Sequence, residues 1–157
     1  MIFLAIVLVH TEPPLLARGT DAPAIVLQSD TGVRVDVLRG AAHHAVVVEF
    51  FETACVSCQH GAPALCAAGA GFPDVTIVAV DAGAEAAPAL RAFVARYLPS
   101  SCNATVLVDP AQSVSHAYRA AVVPTVYVVD RNGKIAYGGV GPAGIDGLAA
   151  ALRQLHA

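Results

Sequence analysis

Residues 45–63 read AVVVEFFETACVSCQHGAP, and the order of events in this stretch decides the fold. Ala45–Phe51 is a continuous apolar run of strand length, the pattern of a strand covered on both faces. Its single charge is Glu49. The run leads directly into Cys55-Val56-Ser57-Cys58, and the Ala-rich stretch that follows, to about Ala70, suits a helix. A cysteine at a helix N-terminus meets unpaired N–H groups and the positive end of the helix dipole, which stabilise a thiolate. The thiolate is the nucleophile of disulfide exchange, and a second cysteine one turn on can attack the mixed disulfide and release product. The spacing therefore predicts Cys55 as nucleophile and Cys58 as resolving cysteine.

Outward from that stretch the chain alternates strands and helices. Ile25–Leu27 and Val33–Val37 flank Ser29-Asp30-Thr31-Gly32, a hairpin signal. Val75–Val80 is a second buried strand ending at Asp81. Glu85–Tyr97 is helical with Pro88 in its first turn. Thr105–Val108 follows as a strand, Gln112–Ala121 as a helix and Thr125–Val129 as a strand. Arg131-Asn132-Gly133-Lys134 is a hairpin turn returning as Ile135–Tyr137. Gly144–His156 carries Ile145, Leu148, Leu152 and Leu155 at helical spacing. Helices that follow buried strands imply parallel pairing. The expected class is α/β, a central mixed sheet with helices on both faces and an N-terminal β-hairpin extension.

The chain has 157 residues, which predicts one domain. Its mean hydropathy of +0.63 comes largely from 32 Ala and 23 Val. No apolar run reaches the roughly 18–20 residues of a spanning helix. The composition excludes an integral bundle, a disordered chain and a fibre. A net charge of -3 without a basic cluster argues against a nucleic-acid partner. Four cysteines are too few for a disulfide scaffold. Ile2–Val9 (IFLAIVLV) is uniformly apolar and is followed by Pro13-Pro14. It reads as the remnant of an export signal or membrane anchor, as an additional buried strand, or as a start-site artefact. Residues 1–19 are accordingly set apart as an apolar segment and linker, and residues 20–157 as the domain.

The motifs together resemble the thioredoxin superfamily, whose members carry an acid-Phe-aromatic string before the CxxC and a Pro after it. Glu49 lies six residues before Cys55 and Pro63 five after Cys58, both at the family offsets. Val123-Pro124-Thr125, followed by VYVVDRNGK, is similar to the family's cis-proline loop and hairpin. The opening GTDAPAIVLQSDTGVRVDVLRG resembles the TlpA/ResA-like branch, and the resemblance covers roughly residues 19–156. It implies a thioredoxin-like fold, no cofactor, and protein thiol or disulfide substrates with a redox partner protein. It also implies a monomer placed in the cell envelope or periplasm, exported or anchored, with the cytoplasm as the alternative. By the same resemblance Val123, Pro124 and Thr125 bind the substrate, Val123 through its backbone groups while Pro124 lies against the CxxC, and Glu49 accepts the proton of Cys58; the plainer alternative makes Glu49 an exposed edge residue. The usual Trp before the first cysteine is Ala54 here, and Val56-Ser57 supplies no charge. Glu52, close to the thiol, would raise its pKa.

Competing readings stay open at this point. A zinc site needs two more ligands, and His43-His44, His60, His116 and His156 are scattered; no metal is expected. Copper relays of this fold use CxxxC, one residue longer. A peroxiredoxin-like thiol peroxidase needs Pro-x-x-x-Thr-x-x-Cys, whereas Thr53 stands two residues before Cys55. A non-enzymatic copper-binding or assembly module is the remaining alternative. Cys66 and Cys102 are either independent small residues or a second disulfide, which an oxidising compartment favours. His60 is a solvated helix residue or a thiolate tuner, and His43-His44 is a polar strand entry.

Overall fold

A computed structural model describes residues 14–156; the apolar run Ile2–Val9 lies outside the described residues. Among those described, seven strands form one sheet: β1 (Val26–Ser29), β2 (Arg34–Asp36), β3 (Val46–Phe51), β4 (Thr76–Asp81), β5 (Ala104–Val108), β6 (Thr125–Val129) and β7 (Ile135–Val140). Their spatial order is β2-β1-β5-β4-β3-β6-β7. β3, β4 and β5 run parallel, and every other pairing is antiparallel. The sheet is thus mixed, with the β1–β2 hairpin at one edge. The helices are α1 (Val37–Gly40), α2 (Val56–Gly71), α3 (Ala87–Tyr97), α4 (Ser113–Ala117), α5 (Gly141–Asp146) and α6 (Leu148–Leu155), with a 3-10 turn at Ser100–Cys102.

β3 is buried at all six positions, because the two-residue side-chain period sends alternate residues into two separate cores. Val46, Val48 and Phe50 join Val78, Val80, Ile25, Val37, Val114 and Tyr118 on one face. Val47 and Phe51 join Ile77, Ala79, Leu65, Phe93 and Leu152 on the other. α1 and α4 cover the first face, and α2, α3 and α6 the second. This is why the run AVVVEFF has no polar side.

Several boundaries differ from the sequence expectation, each for a local reason. The expected helix over Gln112–Ala121 ends at Ala117. Arg119 adopts φ 55°, its N–H donates to the His116 carbonyl at 3.0 Å, and the Ala120 N–H donates to the Ser115 carbonyl at 2.9 Å. That is a Schellman end, hidden in the sequence because Arg stands where Gly is usual. The expected helix Gly144–His156 begins earlier and divides into α5 and α6. The Gly144 carbonyl, which a continuous helix gives to the Leu148 N–H, accepts the Tyr137 hydroxyl at 2.8 Å. β7 continues to Val140, three residues past the expected end, because it pairs with β6 along its whole length. The short α1 replaces the end of the expected strand Val33–Val37. Its first residue is Val37, and Asp36 caps it by accepting the Arg39 N–H at 3.3 Å.

Residues ahead of Thr20 are tied to the sheet. The Gly19 N–H donates to the Ile135 carbonyl at 2.7 Å, the Leu16 N–H donates to the Tyr127 hydroxyl at 3.2 Å, and Leu15 and Leu16 pack on the core. No helix among the described residues is long and apolar enough to cross a membrane.

The parallel register aligns Phe51 with Asp81 and Asp81 with Val108, while Phe50 pairs with Thr125 at the start of β6. The loops after β3, β4 and β5 and the loop before β6 therefore open on one edge of the sheet. In α/β folds, ligands are bound outside the carboxyl ends of parallel strands.

Candidate functional site

At that edge β3 ends and a turn closes, with the Cys55 N–H donating to the Glu52 carbonyl at 3.1 Å. Cys55 is the N-cap of α2, and its sulfur accepts the Cys58 N–H at 3.0 Å. One of the unpaired N–H groups of the helix N-terminus thus points at the sulfur, the arrangement that stabilises a thiolate. Cys55 and Cys58 are joined in a disulfide, with Cα atoms 5.2 Å apart. The two sulfurs differ in access. Cys55 is half-buried, and Cys58 is 1 % exposed. Val56 beside them is 60 % exposed and gives the rim of the site an apolar patch.

The loop into β6 faces this pair. The Val123–Pro124 peptide bond is cis, and the Val123 carbonyl oxygen lies 3.7 Å from the Cys55 sulfur. In the disulfide that sulfur carries no proton and the approach is a contact; in the dithiol the same oxygen can accept the thiol proton. Pro124 is buried, and its carbonyl accepts the Gly141 N–H at 2.8 Å. Thr125 follows as the first residue of β6. It is 1 % exposed and its hydroxyl donates to the Val122 carbonyl at 2.6 Å, so it braces the loop. A cavity of about 240 Å³ opens beside the site, between Glu52 on the cysteine turn and Ala121 on this loop, with Gln112, His116 and Arg119 in its wall.

Glu49 is 2 % exposed, which removes the alternative of an exposed edge carboxylate. It pairs in register with Ala79 and Val126, and strand alternation turns it to the face of Val47 and Phe51. Cys58 belongs to that same core. Oε1 of Glu49 has no hydrogen-bond partner, and burial alone pushes its carboxyl up to about 8. A group poised there takes up or gives a proton near neutral pH.

Cys66, on α2, and Cys102, in the 3-10 turn, form a second disulfide with Cα atoms 4.6 Å apart. This joins the middle of α2 to the entry of β5, away from the cysteine turn. His60 is exposed on α2. His43 and His44 lie at the far end of the sheet near Asp74 and His156, where the His156 ring nitrogen Nε2 contacts the Asp74 carboxylate at 3.2 Å. Among the described residues no group of three or more His, Cys, Asp or Glu is placed to hold a metal.

Sequence reading missed two residues that touch the cysteine turn. Glu85 Oε1 accepts the Thr53 N–H at 2.7 Å, and Gln59 Nε2 donates to the Thr53 carbonyl at 2.9 Å. Gln59 could have been suspected, since it lies one turn after Cys55. Nothing in the sequence links Glu85 to Thr53.

Comparison with known proteins adds the following. A family model described as the AhpC/TSA family matches residues 18–138. The thiol-disulfide oxidoreductase ResA of Bacillus subtilis (strain 168) is 30 % identical over 124 residues, covering 76 % of this chain and 65 % of that protein. The chain thus spans just under two thirds of the length of this relative. A crystal structure of a thiol:disulfide interchange protein DsbE from Chlorobium tepidum superposes with a TM-score of 0.78 at 26 % identity, covering 90 % of this chain and 99 % of that one. MTB dsbF, solved in mixed oxidized and reduced forms, superposes with a TM-score of 0.73 at 26 % identity, covering 83 % of this chain and 94 % of that one.

Proposed function

The chain belongs to the AhpC/TSA family, with its likeness on the ResA-like side of it, and on that premise we propose that it is a thiol–disulfide oxidoreductase that reduces protein disulfides in the cell envelope. The observation that carries this reading is the asymmetry of the pair. Cys55 is reachable at the N-cap of α2 with the Val123 carbonyl 3.7 Å from its sulfur, while Cys58 is buried.

In the reducing direction the Cys55 thiolate attacks one sulfur of a substrate disulfide. One substrate thiolate leaves, and Cys55 is joined to the other half. The Cys58 thiol gives its proton to the Glu49 carboxylate and attacks the Cys55 sulfur, expelling the second substrate thiolate. Two electrons have passed from the dithiol to the substrate, and the protein is left as the Cys55–Cys58 disulfide. A dithiol reductant of a partner protein returns it to the starting state by the same exchange in reverse. With its carboxyl near 8, Glu49 accepts the proton on the way to the disulfide and returns it on the way back. The backbone of Val123 offers a substrate peptide a polar edge beside the sulfur, and Val56 an apolar one.

The Cys66–Cys102 disulfide supports placement in an oxidising compartment, because such bonds persist there and are rare where thiols are kept reduced. Turnover of a protein disulfide, coupled to a small dithiol reductant, tests the assignment. Cys55→Ser is expected to abolish turnover, and Cys58→Ser to accumulate a mixed disulfide through Cys55. Retained turnover in Cys55→Ser, or a mixed disulfide formed through Cys58, would overturn it.

A further inference from the structure

The turn that presents Cys55 is closed by one backbone hydrogen bond, from the Cys55 N–H to the Glu52 carbonyl. The residue inside it, Thr53, is held from both sides by side chains from elsewhere. Its N–H donates to Glu85 Oε1 at 2.7 Å, and its carbonyl accepts from Gln59 Nε2 at 2.9 Å. Gln59 is itself oriented by the Tyr97 hydroxyl of α3, which donates to its Oε1 at 3.3 Å. Glu85 lies 32 residues along the chain from Thr53, in the loop between β4 and α3. Asp81 shapes that loop by accepting the Gly83 N–H at 3.0 Å and the Glu85 N–H at 3.4 Å. Gly83 leaves room for the crossing, since a Cβ there would stand 2.9 Å from Glu85 Oε1 and 3.1 Å from Glu52 Cγ. Both polar groups of the Thr53 backbone are thus committed, two residues before the nucleophile.

We propose that Glu85 and Gln59 are positioning residues for the dithiol, clamping Thr53 so that Cys55 stays at the N-cap of α2 within bonding reach of Cys58. The assignment rests on Cys55 and Cys58 being the working pair. A disulfide is stabilised in proportion to the effective concentration of one thiol at the other, and that concentration falls when the loop carrying one of them is loosened. Loss of the clamp therefore makes the Cys55–Cys58 bond easier to reduce without altering either sulfur. The loop between β4 and α3 gains a role at the site through Glu85.

The test is equilibration of the whole protein in glutathione redox buffers, with the Cys55–Cys58 dithiol quantified by alkylation and peptide mass. Glu85→Ala and Gln59→Ala are each expected to shift the equilibrium constant threefold to tenfold toward the dithiol, about 15–30 mV. Glu85→Gln keeps an acceptor oxygen for the Thr53 N–H and is expected to stay within twofold of wild type. Circular dichroism establishes that each variant folds; if Glu85→Ala does not, Gln59→Ala and Glu85→Gln still give the comparison. Unchanged constants in both alanine variants overturn the proposal. A shift in Glu85→Gln as large as in Glu85→Ala also overturns it, because the charge would then be acting rather than the tether. The measurement needs no turnover, so a wild type unable to reduce protein disulfides would refute the proposed activity while leaving this dependence readable.

Discussion

Replacing Glu49 by Gln removes the one titrating carboxyl in β3 while keeping its size, and its consequences can be worked from the burial of that side chain. The carboxyl rises from its ordinary 4.5 to about 8, which corresponds to a cost of about 5 kcal/mol for ionising it inside the fold. In the unfolded chain the same group ionises near 4.5. The folded state therefore binds the proton more tightly, and stability declines as pH rises from about 4.5, with the full loss reached above about 8. The uncharged amide of the Glu49→Gln variant has no such dependence. Between pH 5 and pH 9 the stability of Glu49→Gln relative to wild type is expected to rise by about 4 kcal/mol. Urea unfolding of the oxidised protein, followed by circular dichroism at both pH values, measures this without interference from thiols. A relative change below about 1 kcal/mol would refute the burial argument. Exchange kinetics supply the second readout. The wild-type rate of disulfide formation should rise through an inflection near 8, the value of the Glu49 carboxyl. In Glu49→Gln the inflection should vanish, with a loss of about 100-fold or more if proton transfer limits the step. A retained inflection would assign it to another group.

Two further outcomes follow from other parts of the fold. Replacing both Cys66 and Cys102 by Ala opens a loop spanning a sequence separation of 36. The chain-entropy relation gives about 4 kcal/mol for this, which should lower the melting temperature by about 10 °C; an unchanged melting temperature would show that the bond contributes nothing. At the opposite end of the sheet, the His156 imidazole is held above its ordinary pKa of 6.5, first by its bond to the Leu152 carbonyl and then by Asp74. Its contribution to stability should be complete below 6.5 and be lost as pH rises through the raised value. Asp74 is lowered by the same contact, so its own contribution is lost as pH falls through its reduced value. NMR titration of the His156 ring should show the raised midpoint, which Asp74→Asn should lower.

The local string from Ala45 to Pro63 is sufficient to order strand, turn, cysteines and helix, because each step is a short-range event. An apolar run of strand length, a helix that starts at a cysteine, and a Gly-containing turn at residues 131–134 leave direct marks in the chain. Glu49 is legible for a related reason: a single carboxylate in an otherwise apolar run stands out whatever surrounds it. Where helices end is less legible. Arg119 takes the left-handed position that usually goes to Gly, and at the α5–α6 break the Gly144 carbonyl accepts the Tyr137 hydroxyl of another element.

The class of fold and the chemistry of the cysteine pair could be read along the chain, since both rest on periodicity and on residues within one helical turn of each other. Four features needed the packed molecule: how deeply Glu49 is buried, whether Cys66 meets Cys102, that Thr125 braces its loop, and that Glu85 reaches Thr53. Apart from the Thr125 brace, these are contacts between residues far apart in the chain, and even that brace depends on the position of the loop against β3 and β7. They are set by how the strands stack in register, which brings the loops after β3 and β4 and before β6 to one end of the sheet and α2 against the entry of β5, and no local pattern carries that information.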